Sequence, residues 1–230
     1  MKLDIVIPVL NEEKSLSNCV EEVINYCNSY LPTWDFGVVI ADNGSTDRTG
    51  EIGNCLLQRH PAVSYIRLEQ RGRGRAPKQV WSKSDADVVS YMDVDLFTDI
   101  RVPDAAVKQV GSNNCDICIG SRLLSDSKVG NRSLRRGFIS RSYSLMFRVL
   151  FLVSFKDAQC GFKGISKKVG YNILPYIKDN EWFFDTELLL ACRHYSIPVK
   201  EIAVNWVDDP DTRVKILPTV WKDIKGLIRL

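Results

Sequence analysis

No stretch of this chain reaches the roughly 18 consecutive apolar residues that a membrane-spanning helix needs. The longest candidate, "LMFRVLFLVSF", is short and carries Arg148. Histidine is nearly missing: His60 and His194 are the only two, and the Cys115–Cys118 pair of "CDIC" has no second pair downstream, which argues against zinc. The seven cysteines form an odd set without framework spacing, so reduced intracellular thiols are expected rather than a disulfide scaffold. Repeats and low-complexity segments are lacking. The net charge of +3 is too small to argue for nucleic acid, and none is expected as a partner. The glycine fingerprint of a dinucleotide fold is also lacking after the first apolar run, where "PVLNEE" stands, which sets aside an NAD-dependent oxidoreductase. That first run turns acidic after about seven apolar residues and does not read as a signal peptide.

What is present is the composition of a globular protein with a full-sized core, 45% apolar and 26% charged over 230 residues. Short β-branched runs ("LDIVIP", "GVVIAD", "VSYIRL", "DVVSYMD", "CDICIGSR") alternate with helix-compatible stretches such as "EEKSLSNCVEEVINYCNSY" and "STDRTGEIGNCLLQRH". That alternation predicts βαβ units and a mostly parallel sheet covered by helices on both faces. After Arg122 it stops. The remainder, with a helix-like "FFDTELLLACRHY" and a strand-like "VKEIAVNW", reads as an elaboration packed against the sheet edge.

In parallel sheets ligands sit outside the carboxyl ends of the strands. Asp93 and Asp95 stand there, two residues apart and so on one face of an extended strand. Two carboxylates make half a shell for Mg2+ or Mn2+, with water and phosphate oxygens to complete it; turn or capping aspartates are the alternative. Asp42 ends the second strand before "NGSTD", where a helix N-cap from Ser45 or Thr46 explains the hydroxyls without any ligand. "RGRGRAPK" suits a flexible phosphate-facing loop, or a plain solvated one. From Ser127 to Lys156 there are seven basic residues and no acid. Arginine forks suit phosphate and the adjacent apolar run suits a greasy chain, so the segment fits a phosphorylated lipid at a membrane surface, or an amphipathic helix with a basic outer face. In the tail, Val220, Trp221, Ile224, Leu227 and Ile228 share one helical face, which suits either an interfacial helix or one packed on its own domain.

Taken together, "VIPVLNEE", "ADNGSTD", "RGRGRA", "YMDVDL", "GSR", "RRGFISR", "DAQCGFK", "WFFDTELL" and "IAVNW" resemble, in order and over nearly the whole chain, family 2 glycosyltransferases with the Rossmann-like GT-A fold. Among these the chain is similar to the dolichyl- and polyprenyl-phosphate sugar synthases, the glucosyl branch more than the mannosyl one. The resemblance implies a single α/β domain over residues 1–230. Residues 1–122 would bind the nucleotide sugar, and residues 123–230 the acceptor, ending in an amphipathic helix. It implies that Pro8, Asn11, Glu12, Asp42 and Val94 line the donor pocket, that Asp93 and Asp95 hold Mg2+ or Mn2+ on the diphosphate, and that Arg122 positions the donor. Arg136 and Ser140 would grip the lipid phosphate and Asp157 would lie near the reacting centre. Arg213 and Lys215 would close over the donor.

The implied reaction moves a hexose, glucose from UDP-glucose or mannose from GDP-mannose, onto a polyprenyl or dolichyl phosphate at the cytoplasmic face of a membrane. A glycosyltransferase with a saccharide acceptor and a non-catalytic nucleotide- or membrane-binding module are the alternatives. The processive polysaccharide synthases are disfavoured by the missing Gln-x-x-Arg-Trp signature. Phe97 departs from the family, standing where relatives usually carry a small polar residue or a glutamine near the metal. Many relatives also continue into membrane helices, whereas this sequence ends at Leu230, as a peripheral enzyme would or as one without its membrane part.

Overall fold

The computed structural model describes residues 1–96, 99–207 and 216–230. Its first half alternates as the apolar runs require: β1 (Lys2–Val9), α1 (Leu16–Tyr30), β2 (Asp35–Asp42), α2 (Thr49–Arg59), β3 (Val63–Arg67), α3 (Arg75–Trp81), β4 (Val88–Met92), α4 (Arg101–Gly111) and β5 (Ile117–Ser121). The second half supplies β6 (Lys128–Gly130), α5 (Leu134–Phe151), β7 (Phe162–Ser166), α6 (Lys167–Asn172), a 3-10 turn (Leu174–Tyr176), α7 (Phe184–His194), β8 (Val199–Ala203), β9 (Asn205–Val207) and α8 (Ile216–Arg229).

Seven strands form one sheet in the order β3-β2-β1-β4-β7-β5-β8, and β6 pairs with β9 in a small second sheet. Pairings are parallel except where β7 runs antiparallel to β4 and to β5. The period-two pattern sorts the side chains to two cores. Leu3, Ile5, Ile7 and Val9 of β1 pack with α1, α2 and α4, while Val6 joins the core under α3, α5, α6 and α7. Central strands β4 and β5 are buried at every residue, as a sheet covered on both faces requires.

Two local expectations are corrected. The segment after Arg122 does not merely pack against the sheet edge: β7 is inserted between β4 and β5, and β8 extends the sheet beyond β5. "FKGIS" escapes a pattern search because it is short and contains Lys163 and Gly164, yet it is buried from Phe162 to Ile165. Nor do Ser45 and Thr46 cap a helix. Helix α2 starts at Thr49 without a side-chain cap, and both residues bond Asn11 instead: Asn11 N donates to Ser45 Oγ at 2.9 Å and Thr46 N donates to Asn11 Oδ1 at 2.8 Å. Among the described residues no helix is long and apolar enough to cross a membrane.

Candidate active site

The tips of β1, β2 and β4 lie side by side, with Val9 opposite Asp42 in the register. The chain leaves β1 through Asn11, whose φ of 57° lies in the left-handed region that asparagine tolerates. Backbone groups of this loop bond the next one: Glu12 N donates to Thr49 Oγ1 at 2.8 Å and Glu13 N to Asp47 Oδ2 at 3.2 Å. Asp42 lies beneath, fully buried, and accepts from Ser45 N at 2.7 Å, the Tyr65 hydroxyl at 2.7 Å and Arg67 Nη1 at 3.1 Å. Arg67 also donates to the Ser45 carbonyl at 2.9 Å. Pro8 pairs with Ala41 on the same tip.

Beyond β4, Asp93 is held from three sides. Its backbone N donates to the Gly161 carbonyl at 3.2 Å, and its Oδ1 accepts from Arg73 Nη2 at 2.8 Å. The Arg73 guanidinium lies 4.6 Å from the Trp182 ring centroid, a cation–π contact on its other face. Burial opposes the charge on Arg73, but the neighbouring Asp93 and Asp185 outweigh it and hold the group above its ordinary value. The third side is Gly161, where a Cβ would fall 1.9 Å from Asp93 Oδ2. Val94 is buried and Asp95 exposed. Both carboxylates bear on Cys19 of α1, whose thiol burial pushes up to about 12 with Asp95 and Asp93 adding. Asp93 and Asp95 thus offer hard oxygen donors at a strand end, which fits a cation that takes its remaining ligands from a diphosphate and water.

A second constellation surrounds Asp157. Its Oδ2 accepts from Arg122 Nε at 2.7 Å and Arg122 N at 2.9 Å, and its Oδ1 accepts from Arg122 Nη2 at 2.9 Å. Gln159 N donates to Oδ1 at 3.2 Å. Arg122 rests 5.1 Å from the Trp206 ring centroid in β9. The Glu201 carboxylate of β8 receives Lys156 N at 2.9 Å and Asp157 N at 3.0 Å, fixing the loop from below. Burial alone would raise Asp157, but the Arg122 charge and its hydrogen bonds prevail and hold the carboxyl below the usual range. Its oxygens are engaged by a bidentate fork, so in this geometry Asp157 aims Arg122 and is a poor proton acceptor.

Helix α5 begins at a true cap, with Ser133 Oγ accepting from Arg136 N at 3.3 Å. Arg136 and Ser140 are four residues apart and share a face, both partly buried. Arg213, Lys215 and Phe97 lie outside the described residues. The sequence reading missed Arg73, taken only as part of a flexible loop, and Trp182 and Gly161, which touch Arg73 and Asp93 from more than 60 positions downstream. The arginines interleaved with glycine were the available signal; their partner was not legible.

A mostly parallel sheet with paired carboxylates at a central strand tip and a fixed arginine beside them is the layout of a GT-A nucleotide-sugar transferase. Residues 4–174 match the family described as Glycosyl transferase family 2, and the chain belongs to that family. It is 32% identical over 228 residues to "Glycosyltransferase AglD" of Haloferax volcanii, covering 99% of this chain and 36% of that protein. It is 28% identical over 221 residues to the "Dolichyl-phosphate beta-glucosyltransferase" of Homo sapiens, covering 90% of this chain and 68% of that protein. The chain thus spans about a third of the first of these relatives and about two thirds of the second. Among solved structures, glucosyl-3-phosphoglycerate synthase from Mycobacterium tuberculosis shares the fold, with a TM-score of 0.72 at 15% identity over 99% of this chain and 80% of that one. The same enzyme in complex with Mn2+, UDP and glucosyl-3-phosphoglycerate aligns with a TM-score of 0.71 at 14% identity, over 99% and 79% of the two chains.

Proposed function

We propose that this domain transfers glucose from UDP-glucose to a dolichyl or other polyprenyl phosphate, working at the cytoplasmic surface of a membrane. The observation that carries the lipid acceptor is the outer surface of α5. Leu134, Phe138, Leu145, Val149 and Leu152 are each at least 61% exposed. At 100° per residue Leu134, Phe138, Leu145 and Val149 fall within about 60° of one another, one apolar stripe opposite the packed Tyr143 and Phe147, and Leu152 follows at the helix C-cap. Arg141 borders that stripe, Arg135 and Arg136 lie on other sides of the same helix, and no acid occurs between Ser127 and Lys156. An apolar stripe in a basic surround matches an acyl–headgroup boundary with anionic groups. The name of the relative from Homo sapiens points to the same acceptor class.

The chemistry follows from the residues. A phosphate acceptor presents an oxygen that is already anionic near neutral pH, so a strong general base is unnecessary. The engaged state of Asp157 agrees with this. Arg136 and Ser140 would receive the lipid phosphate, and Arg122, aimed by Asp157, would stabilise charge on the departing diphosphate. Asp42 with Tyr65 and Arg67 would form the floor of the nucleotide pocket, beside Pro8, Asn11, Glu12 and Val94. Arg213 and Lys215 would close over the donor. A single displacement at the anomeric carbon inverts configuration. When bound, Mg2+ or Mn2+ on Asp93 and Asp95 would supply charge neutralisation of the diphosphate.

The test is transfer of radiolabelled sugar to dolichyl phosphate in vesicles, with UDP-glucose and GDP-mannose run in parallel. Label entering the lipid fraction from UDP-glucose at least tenfold faster than from GDP-mannose is expected. Label passing only to saccharide acceptors would overturn the proposal.

A further inference from the structure

Helix α8 is fastened to the domain through a buried acid that the proposed reaction does not use. Asp223 is 1% exposed. Its Oδ2 accepts from Gln159 Nε2 at 2.5 Å, while its Oδ1 is buried without a hydrogen-bond partner among the described residues. Gln159 is the residue whose backbone N bonds Asp157, so one side chain links α8 to the carboxylate that aims Arg122. The helix lies tight on the start of α7: a Cβ on Gly226 would meet the Phe183 ring at 2.4 Å.

The groups that bear on Asp223 offer it no positive partner among the described residues. Asp179 and, from α7, Asp185 add negative charge, and Asp185 is itself taken by Lys163 at 3.1 Å and by the Tyr91 hydroxyl at 2.6 Å. From α5, Tyr143 feels the charge of Asp223 and has its hydroxyl 2.8 Å from Thr186 Oγ1. The cations of α8 are engaged elsewhere: Arg229 with Glu187 at 2.9 Å, Lys222 with Glu181 at 3.9 Å, and Lys225 over the Trp221 ring at 5.4 Å. An ionised carboxylate with one oxygen buried and unbonded is costly, and a proton removes the larger part of that cost, the buried charge. Burial pushes Asp223 up to about 7, with the Gln159 bond offsetting part of the rise and the two acids adding to it.

We propose that Asp223 is a positioning residue: while protonated it docks α8 onto the Gln159–Asp157–Arg122 loop, and its ionisation loosens both the helix and the loop. The consequence for catalysis rests on the glucosyl-transfer reading above, but the docking itself does not. The full chain would be followed by amide hydrogen exchange at pH 5 and pH 8, corrected for intrinsic rates, as wild type and as Asp223→Asn. If undocking restores an ordinary carboxyl, opening of α8 and of residues 157–160 should rise on the order of 50-fold between the two pH values in wild type. Asp223→Asn, neutral throughout and still able to accept from Gln159, should show little change.

Equal rises in the two proteins, or none in wild type, would overturn the proposal. Should Asp223→Asn fail to fold, Gln159→Leu serves: deleting the donor should steepen the rise, and an unchanged rise would count against the link. In transfer assays the wild-type alkaline loss of kcat/KM for the donor should be missing in Asp223→Asn. Exchange reads no transfer, so failure of glucosylation and failure of the docking idea are separate results.

Discussion

Gly161→Ala is the substitution on which the active-site geometry can be judged. The glycine has no positive φ to preserve, so alanine is conformationally acceptable there and the strand that follows should still form. What alanine cannot do is share space with Asp93. Its Cβ would lie 1.9 Å from Oδ2, and real Cβ contacts essentially never fall below 3.0 Å, so the carboxylate must retreat by more than 1 Å. That retreat pulls Oδ1 away from Arg73, now 2.8 Å distant. A misplacement of about 1 Å at a catalytic group can lower the rate about 100-fold, or roughly 2.7 kcal/mol in the barrier. Thermal stability should fall by only about 1–3 kcal/mol, as for other overpacked sites. Three measurements on one preparation decide it: the melting transition, Mn2+ affinity by electron paramagnetic resonance, and glucosyl transfer. The expected result is a folded protein with weakened Mn2+ binding and about 1% of wild-type turnover. A folded variant with wild-type Mn2+ affinity and rate would refute the argument that Gly161 exists to seat Asp93.

Arg73→Met should keep the fold and lower transfer at least tenfold, while Arg73→Lys, unable to stack its charge on Trp182 as a planar fork does, should recover little; the ratio of the two rates is the check. Lys163→Met should destabilise the domain by about 3–5 kcal/mol in urea unfolding, because Asp185 would stay buried without its cation. For Asp223→Asn the sign is set by a carboxyl raised from 3.8 to about 7. Wild type loses stability as pH climbs through that window, by at most about 4 kcal/mol. The variant should match wild type near pH 4 and exceed it above pH 7. Phe138→Glu with Leu145→Glu should cut sedimentation with anionic vesicles at least tenfold and leave the melting transition within about 1 °C, since both side chains face solvent.

The first five strands and helices α1 and α2 were legible because each strand is short, β-branched and set off by polar turns, so "LDIVIP" or "GVVIAD" admits one reading, whereas "RGRGRAPK", read as a loop, turns helical from Arg75. Strand β7 was not, since a buried lysine interrupts its apolar pattern and Asp185 and Tyr91, distant in sequence, help the Cys160 carbonyl to make that lysine tolerable. The pair Asp93 and Asp95 was legible from position alone. The groups that hold Asp93 were not, because Arg73, Gly161 and Trp182 meet only when α3, β7 and α7 are packed. The tail helix was legible as amphipathic, but its apolar face turns out to be divided. Leu227 joins the core while Trp221 and Ile228 face outward, and Asp223, a polar letter in the pattern, is more deeply buried than any of them.

That inversion, polar side chains inside and apolar ones outside, recurs wherever the second half of the chain meets the strand tips. Arg122 with Asp157, Lys163 with Asp185, and Gln159 with Asp223 each put a buried acid against a buried or half-buried partner, joining residues 157–163 to the end of β5, to α7 and to α8. Such pairs are weak sources of stability, since apolar residues of equal volume commonly do as well or better. What they provide instead is direction: a forked arginine or a bonded amide has one low-energy orientation, whereas a leucine has several. The apolar side chains that a larger core would have absorbed are left on the outer stripe of α5, where water gives them nothing. On the proposed reading, a domain that places rigid polar pairs beneath its strand tips and greasy side chains on an adjoining helix would hold a charged donor still while a lipid-borne acceptor approaches from the surface.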